Sequence, residues 1–204
     1  MKKPRSTPPP RRAAPADPLA GKTVQLKITL RSSAPSIWRR VVVPGDIGLP
    51  ALHDVFQAVM GWEDSHLHLF AKGRTIYREP DFERGFDGEE ALDEADFSLA
   101  ALGSRAGATF VYEYDFGDCW LHDVKVEKVE PVAQRPARAV CLEGVCAVPP
   151  DDTGGVWGYA TKVAALADPQ HPDYEEMRAW FGADFDPTRF ELAKVNRLLG
   201  KIRV

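Results

Sequence analysis

The sequence of 204 residues predicts an α+β domain. Residues 24–30, 110–116 and 120–126 alternate apolar and polar side chains with a period of two, as half-buried strands do. Residues 49–60 place apolar side chains at the three-to-four spacing of an amphipathic helix. Residues 156–204 are divided by Pro and Gly into helical pieces. We therefore expect an N-terminal strand-strand-helix unit and a central antiparallel hairpin in one sheet, followed by a C-terminal helical segment.

The first 22 residues differ in composition from the rest of the chain. Residues 1–22 are basic and Pro-rich and contain no aromatic residue, which predicts a disordered tail. One α+β domain is expected over residues 23–204: sheet-rich over 23–135, a loop over 136–155 and helical over 156–204. The tail carries a net charge of +5, so the remainder carries −9. An acidic body disfavours duplex DNA as a partner, and weak nucleic-acid binding by the tail remains an alternative.

Other features of the composition restrict the protein's environment. No apolar run approaches the roughly 20 residues of a membrane span, and no apolar segment follows the basic N-terminus, so no membrane partner is expected. The three Cys, an odd number, argue against a disulfide framework. We expect a cytoplasmic protein, and its oligomeric state is left open.

The N-terminal unit is predicted from local signals. Its two strands and one helix are expected over residues 24–30, 37–43 and 49–60. Pro44-Gly45 ends the second strand. Pro50 suits the first turn of the helix and Gly61 its C-terminal cap, while His53 borders the apolar face.

Shorter elements are expected on either side of the hairpin. Residues 65–70 and 75–77 read as short strands, residues 79–95 as an acidic mobile loop, and residues 97–102 as a short apolar piece. After the hairpin we expect an irregular crossing over 131–140, for which a short strand near Ala139 and Val140 is an alternative. A turn-rich loop over 141–155 and helices over 156–167, 172–181 and 187–199 follow.

The faces of the hairpin restrict its register. If both aromatic rows face one side, Tyr114 lies opposite Trp120 or His122, and the loop holds an odd number of residues. Loops over 116–118 or 117–119 both satisfy this condition. Trp120 then begins the inward row and should pack on the helix over 49–60.

Histidines supply the candidate metal ligands. His66 and His68 are two apart on a predicted strand and point to one face. His122 lies on the aromatic face of the hairpin. If these strands are neighbours, three imidazoles and a carboxylate of the turn converge, which is a ligand set for a divalent metal such as zinc. The alternative is that these histidines are hydrogen-bonded core or rim residues.

Aromatic and acidic residues near the hairpin turn supply the candidates for binding a partner. They are Trp62, Tyr114, Asp115, Asp118 and Trp120. In the second strand, Trp38 is expected in the core with Arg39 and Arg40 solvated on the opposite face. Stacking plus charge on a nucleic acid is the alternative for those three residues.

Four segments occur in a characteristic order: LKITLRSSAPSIWRRVVVPGDIGLPALHDVFQAVMGWEDSHLHLF, YEYDFGDCWLHDVKVE, CLEGVCAVPPDDTGGVWGY and FDPTRFELAKVNRLL. In these segments the chain resembles the plasmid pRiA-type ORF-three-like family, also labelled insertion-element passenger proteins or "TnpR family". The resemblance implies an α+β fold and a mobile-element neighbourhood, and it carries no catalytic residue. Val148 stands where family members often have Cys, and Cys146 lies nearby instead, so a metal or redox role for that Cys does not transfer.

Three functions are compatible with these observations. The first is an accessory protein of plasmids or mobile elements, a non-catalytic module that binds another protein. The second is a metal-dependent, hydrolase-like enzyme built on His66, His68, His122 and a nearby Asp. The third is nucleic-acid binding through the basic tail. The cofactor is not identified beyond a possible divalent metal.

Overall fold

One mixed sheet organises the part of the chain that the computed structural model describes, residues 16–80 and 91–204. Its strands are β1 (Lys22–Leu30), β2 (Trp38–Pro44), β3 (His68–Lys72), β4 (Thr75–Arg78), β5 (Leu92–Asp93), β6 (Thr109–Tyr114), β7 (Trp120–Pro131) and β8 (Val140–Val145). The helices are α1 (Leu49–Met60), α2 (Leu99–Leu102), α3 (Gly155–Ala167), α4 (Tyr174–Phe181) and α5 (Leu192–Leu199).

The spatial order of the strands is β5-β4-β3-β6-β7-β1-β2-β8. The pair β4/β5 is parallel and the other neighbouring pairs are antiparallel. The N-terminal β1–β2–α1 unit and the β6–β7 hairpin therefore share one sheet, and the predicted α+β class is confirmed. Among the described residues, no helix has the length and apolar content needed to cross a membrane.

The core lies on the face of the sheet that α1 covers. Alternate residues of β1 and β7 are buried, as the period-two pattern predicted. Phe56 of α1 meets Tyr112 of β6 edge-on, with ring centroids 5.0 Å apart. Helix α5 packs against both α1 and β8 and extends this layer to the far edge of the sheet.

Helix α1 has the predicted bounds and the predicted end. Pro50 lies in the first turn, where its missing N–H costs no intrahelical bond. Gly61 adopts a left-handed conformation, with φ of 78°, and donates its N–H to the Gln57 carbonyl. This turn directs the chain toward the residues that line the candidate site.

The hairpin has the predicted faces but a longer loop. Tyr114 pairs with Trp120 and Tyr112 with His122, so the aromatic rows do share one face. The loop runs over residues 115–119. It is odd in length, as expected, but the three-residue loops were wrong because Asp115 holds the turn together: its Oδ1 accepts the N–H of Gly117 at 2.9 Å.

The predicted tail extends too far into the folded domain. Leu19 is completely buried in the core. Asp17 accepts the N–H of Leu19 at 2.7 Å and the hydroxyl of Ser98. Residues 17–22 therefore belong to the domain. The burial of Leu19 and the hydrogen bonds of Asp17 stabilise this segment, although its composition is typical of a disordered tail. Residues 1–15 lie outside the described residues, as do residues 81–90 of the predicted acidic loop.

Three later elements also differ from the prediction. Strand β8 begins at Val140, where a short strand was an alternative, but it continues to Val145 through residues expected in a turn-rich loop, and it forms an edge of the sheet. Helix α5 begins at Leu192, because residues 186–189 form a turn in which Asp186 accepts the Thr188 N–H at 2.8 Å. The end of the predicted acidic loop is ordered, with Glu94 2% exposed.

The prediction for β2 is wrong for Trp38 and Arg39, while Arg40 is partly exposed. Arg39 is buried and donates to the carbonyls of Val59 and Cys146 at 3.0 and 2.8 Å. Burial lowers its pKa to about 10, so the guanidinium remains charged at neutral pH. Trp38 is half-buried instead, with the guanidinium of Arg40 5.0 Å from its ring centroid. Backbone carbonyls accept the hydrogen bonds of the buried Arg39 guanidinium. A prediction from residue type alone could not anticipate these carbonyls.

Candidate functional site

A cleft of about 390 Å³ opens between the N-terminal part of α1, the segment that follows α1, and the start of β3. We refer to it as the α1–β3 cleft. His53 of α1 and His68 of β3 lie in it together with Asp64 and Glu94. The His53 and His68 rings are stacked, with centroids 3.5 Å apart and planes 10° apart.

His53 is held by hydrogen bonds at both ring nitrogens. Its Nδ1 lies 2.8 Å from the Tyr112 hydroxyl, and its Nε2 lies 2.9 Å from Asp64 Oδ1. His53 is 4% exposed, so these two groups replace the water that a surface imidazole would bind.

A closed ring of hydrogen bonds determines which nitrogen of His53 carries the proton. The backbone N–H of Asp64 donates to Gln57 Oε1 at 3.0 Å, so Gln57 Nε2 must be the donor to the Tyr112 hydroxyl at 3.0 Å. The Tyr112 hydroxyl then donates to His53 Nδ1. The proton of a neutral His53 accordingly sits on Nε2 and is donated to Asp64.

His68 has an equivalent carboxylate partner. Its Nε2 lies 2.9 Å from Oε2 of Glu94, which is 2% exposed. A buried carboxylate is costly unless a donor or a cation compensates its charge. The His68 Nε2–H is that donor, and it leaves the Nδ1 lone pair for another ligand.

The cleft strongly favours positive charge. Its lining includes Asp54, Asp64, Glu79 and Glu94, and no Lys or Arg occurs among the described lining residues. Burial raises the pKa of Asp54, and the nearby Asp64 charge adds to this effect. Burial lowers the pKa of His53, and the neighbouring His68 lowers it further, so His53 favours its neutral form.

His53, Asp64 and His68 form a candidate group of metal ligands. One ligand atom from each residue lies within 4.8 Å of the others. With metal–ligand distances of ~2.1 Å, neighbouring ligand atoms are ~3.0 Å apart in an octahedron and ~3.4 Å apart in a tetrahedron. The 2.9 Å from His53 Nε2 to Asp64 Oδ1 is close to such an edge. Two imidazoles and a carboxylate suit zinc, iron or manganese.

A second, looser group lies beside the first. His66 Nε2 is 3.7 Å from Asp115 Oδ2 and 3.6 Å from Asp152 Oδ1. These distances are too long for hydrogen bonds. Asp152 is exposed, with 82% of its side chain accessible. Both groups hold one buried, one half-buried and one exposed residue, but the second group lacks the short hydrogen bonds of the first.

The structure separates the three histidines that were predicted to converge. His66 and His68 both line the α1–β3 cleft, but they belong to different groups of candidate ligands. His122 is completely buried between Tyr112 and Trp62, whose ring centroids lie 5.5 and 5.3 Å from its own. The prediction of one ligand sphere is wrong for two reasons. Strand β3 begins only at His68, so His66 lies outside the strand in which it was predicted. His122 is on β7, which is two strands from β3, roughly 10 Å away.

The predicted binding residues lie mostly inside the protein. Trp62 stacks on Tyr114 at 4.7 Å and lies 6.0 Å from Trp120, and all three side chains are buried. Asp115 stabilises the hairpin turn, and Asp118 Oδ2 accepts the Gly154 N–H at 2.9 Å. The three aromatic residues pack in the core, Asp115 stabilises the turn, and Asp118 joins the hairpin to the start of α3, so the structure gives them a role in folding.

The sequence analysis missed most of the α1–β3 cleft. His53 was placed at the border of the helix, and Asp64 and Glu94 were not singled out. One signal was available: His53 and Gln57 are four residues apart, so two polar side chains share the apolar face of α1. Nothing local in the sequence indicated Glu94.

Comparisons with known proteins agree with the fold. A family model described as plasmid pRiA4b ORF-3-like protein matches residues 22–194. The uncharacterized protein y4hQ of Sinorhizobium fredii (strain NBRC 101917 / NGR234) is 39% identical over 181 residues, which cover 88% of this chain and 91% of that protein. A crystal structure of a protein of unknown function from Methanosarcina mazei Go1, MM3350, matches with a TM-score of 0.75 and 33% identity. The match covers 85% of this chain and 97% of the MM3350 chain.

Proposed function

The chain belongs to the plasmid pRiA4b ORF-3-like family, and we propose that it is a divalent-metal-dependent protein with hydrolase-like chemistry in the α1–β3 cleft. The observation that carries the proposal is the group formed by His53, Asp64 and His68. Glu94 orients His68 as an outer partner, as carboxylates commonly do beside metal-bound histidines.

Charge neutralisation supports a cation in this cleft. With both histidines neutral, Asp64 and Glu94 leave two negative charges beside the stacked rings. A divalent ion would compensate both charges, and His53, Asp64 and His68 are the residues that would hold it.

The charge of the cleft also restricts the substrate. Four carboxylates without a Lys or Arg in the described lining repel phosphate-bearing and other anionic molecules. Neutral or cationic esters and amides are the compatible substrates. A bound metal with an open position would supply an activated water, as catalytic zinc sites with His and carboxylate ligands do.

Metal analysis of the full chain, purified without a His tag, tests this function. We expect one equivalent of a transition metal after incubation with zinc or manganese, and a higher melting temperature because the metal binds only the folded state. His53→Ala, His68→Ala and Asp64→Asn should each weaken binding by at least ~10-fold. Combining two of these changes should add little, because the three residues share one ligand sphere.

His66→Ala is the matched control, since His66 also lines the cleft but belongs to the second group. It should leave metal affinity unchanged. A folded protein that binds neither zinc nor manganese would refute the proposal. Binding that is lost in His66→Ala and retained in His53→Ala would place the metal elsewhere.

A second candidate is the non-catalytic module that binds another protein. It is favoured by Trp157 of α3, which is 80% exposed, and by the partly exposed Trp180 of α4. Large exposed aromatic side chains are common anchors of protein interfaces. A folded chain that shows no response to metal would leave this module as the better-supported function.

Nucleic-acid binding by residues 1–15 is the weaker third proposal. The three Cys are free thiols, which supports a cytoplasmic location.

A further inference from the structure

A small cavity lies beside α3. Its volume is about 80 Å³, and apolar side chains form most of its wall. Ile37, Val156, Val163 and Pro187 are among them, together with Cys146 and Tyr159. The cavity is separate from the α1–β3 cleft, with which it shares no lining residue.

Tyr159 is the unusual member of this wall. Its side chain is buried, with 8% of the residue exposed, and its hydroxyl has no hydrogen-bond partner among the described residues. Burial raises the pKa of Tyr159 to about 12, so the hydroxyl keeps its proton at neutral pH and is available as a donor. A buried donor without an acceptor costs free energy that a ligand with an acceptor recovers.

We propose that this cavity binds a small neutral carbonyl compound, whose oxygen accepts the Tyr159 hydroxyl and whose alkyl part contacts Val156, Val163 and Ile37. The apolar wall excludes charged ligands, because no counter-charge in the wall would offset their loss of water. The proposal is independent of the metal site.

The volume sets the size of the ligand. An apolar cavity of ~150 Å³ accommodates benzene, so ~80 Å³ accommodates three or four non-hydrogen atoms. Acetone has this size and carries one acceptor, which makes it the appropriate probe. For so few atoms a millimolar affinity is expected.

Titration of the ¹⁵N-labelled full chain with acetone, followed by two-dimensional NMR, tests the proposal. We expect saturable shifts confined to amides around residues 33–37, 146 and 156–163. Tyr159→Phe keeps the ring and removes the donor, so the acetone affinity should fall about fivefold, the effect of one net hydrogen bond. Val163→Phe should fill the cavity and abolish the shifts.

Ala164→Phe is the matched control, because Ala164 lies next to Val163 on α3 but is exposed. It should bind acetone like the unmodified chain. Shifts that rise linearly without saturation would overturn the proposal, since they indicate solvent effects only. Saturable binding with equal affinity in Tyr159→Phe would also overturn it. Because Tyr159→Phe changes one atom at the end of a ring, the test stands even if Val163→Phe fails to fold.

Discussion

His122 shows how a single buried side chain couples this fold to pH. Its Nδ1 lies 3.3 Å from the Tyr112 carbonyl, and its Nε2 has no partner among the described residues. Burial lowers its pKa to about 4. A histidine in the unfolded chain has an ordinary pKa near ~6.5. Between these two values the unfolded chain binds more protons than the folded protein does.

Stability should therefore fall as the pH falls from ~6.5 to ~4, by roughly 3 kcal/mol from this residue alone. His122→Phe cannot take up a proton and should lose most of this dependence. Urea unfolding at pH 7 and at pH 4.5 measures it in both proteins. The partly exposed His171 provides the control, since His171→Ala should keep the pH dependence of the unmodified chain. An equal loss of stability in His122→Phe would show that other groups cause it.

Among the elements, strand β8 has the most exposed position. It is an edge strand, and Val140 and Leu142 on it are 47% and 45% exposed. The side chain of Asn196 on α5 covers part of that edge. Its Oδ1 accepts the Cys141 N–H and its Nδ2 donates to the Cys141 carbonyl, both at 2.9 Å. One amide side chain thus takes the place of a neighbouring strand at this position.

Asn196→Ala should lower the free energy of unfolding by about 1–2 kcal/mol, because it leaves two backbone groups without partners. It should also promote self-association, since unpaired strand edges are templates for pairing. Urea unfolding and sedimentation velocity at several concentrations measure the two effects. Lys194→Ala, an exposed change on the same helix, should alter neither. A variant as stable and as monodisperse as the Lys194→Ala protein would contradict this role of Asn196.

The elements that the sequence predicts best are those whose signal is local. Helix α1 carries its apolar face, its Pro and its Gly within 13 consecutive residues, and its predicted bounds match the structure. The alternation in β6 and β7 likewise placed Tyr114 opposite Trp120 or His122, and the structure has the first of these registers. Strand β8 was missed because Cys141–Val145 alternates weakly and gains its order from β2 and Asn196, which are distant in the chain.

The candidate site illustrates the same limit. His53, Gln57 and Asp64 lie within 12 residues of each other, yet their function depends on Tyr112 and Glu94, which long-range pairing brings to them. Predicting those contacts requires the order β4-β3-β6 in the sheet, and period-two patterns do not specify strand order. The family resemblance supplied the fold, which the comparisons confirm, but no residue of the site.

For the whole molecule, the position of Leu19 changes where the domain begins. A chain that starts at Lys22 lacks Leu19 and the Asp17 contact with Ser98. We expect it to lose about 2–5 kcal/mol of stability, the range for removing a buried Leu side chain. A chain that starts at Ala16 keeps both contacts, so it should unfold at the same urea concentration as the full chain. Equal midpoints for the two truncated chains would show that Leu19 contributes little.

The place of β1 in the sheet has a consequence during translation. This first strand lies between β2, which follows it directly, and β7, which ends at Pro131. On a ribosome that adds about 5–20 residues per second, the β7 side of β1 stays open for roughly 5–20 s after Leu30 is made. During that time the nascent β1–β2–α1 unit presents an apolar strand with one unpaired edge. We infer that the nascent chain is most prone to capture by chaperones, or to misassembly with a neighbouring nascent chain, in this interval.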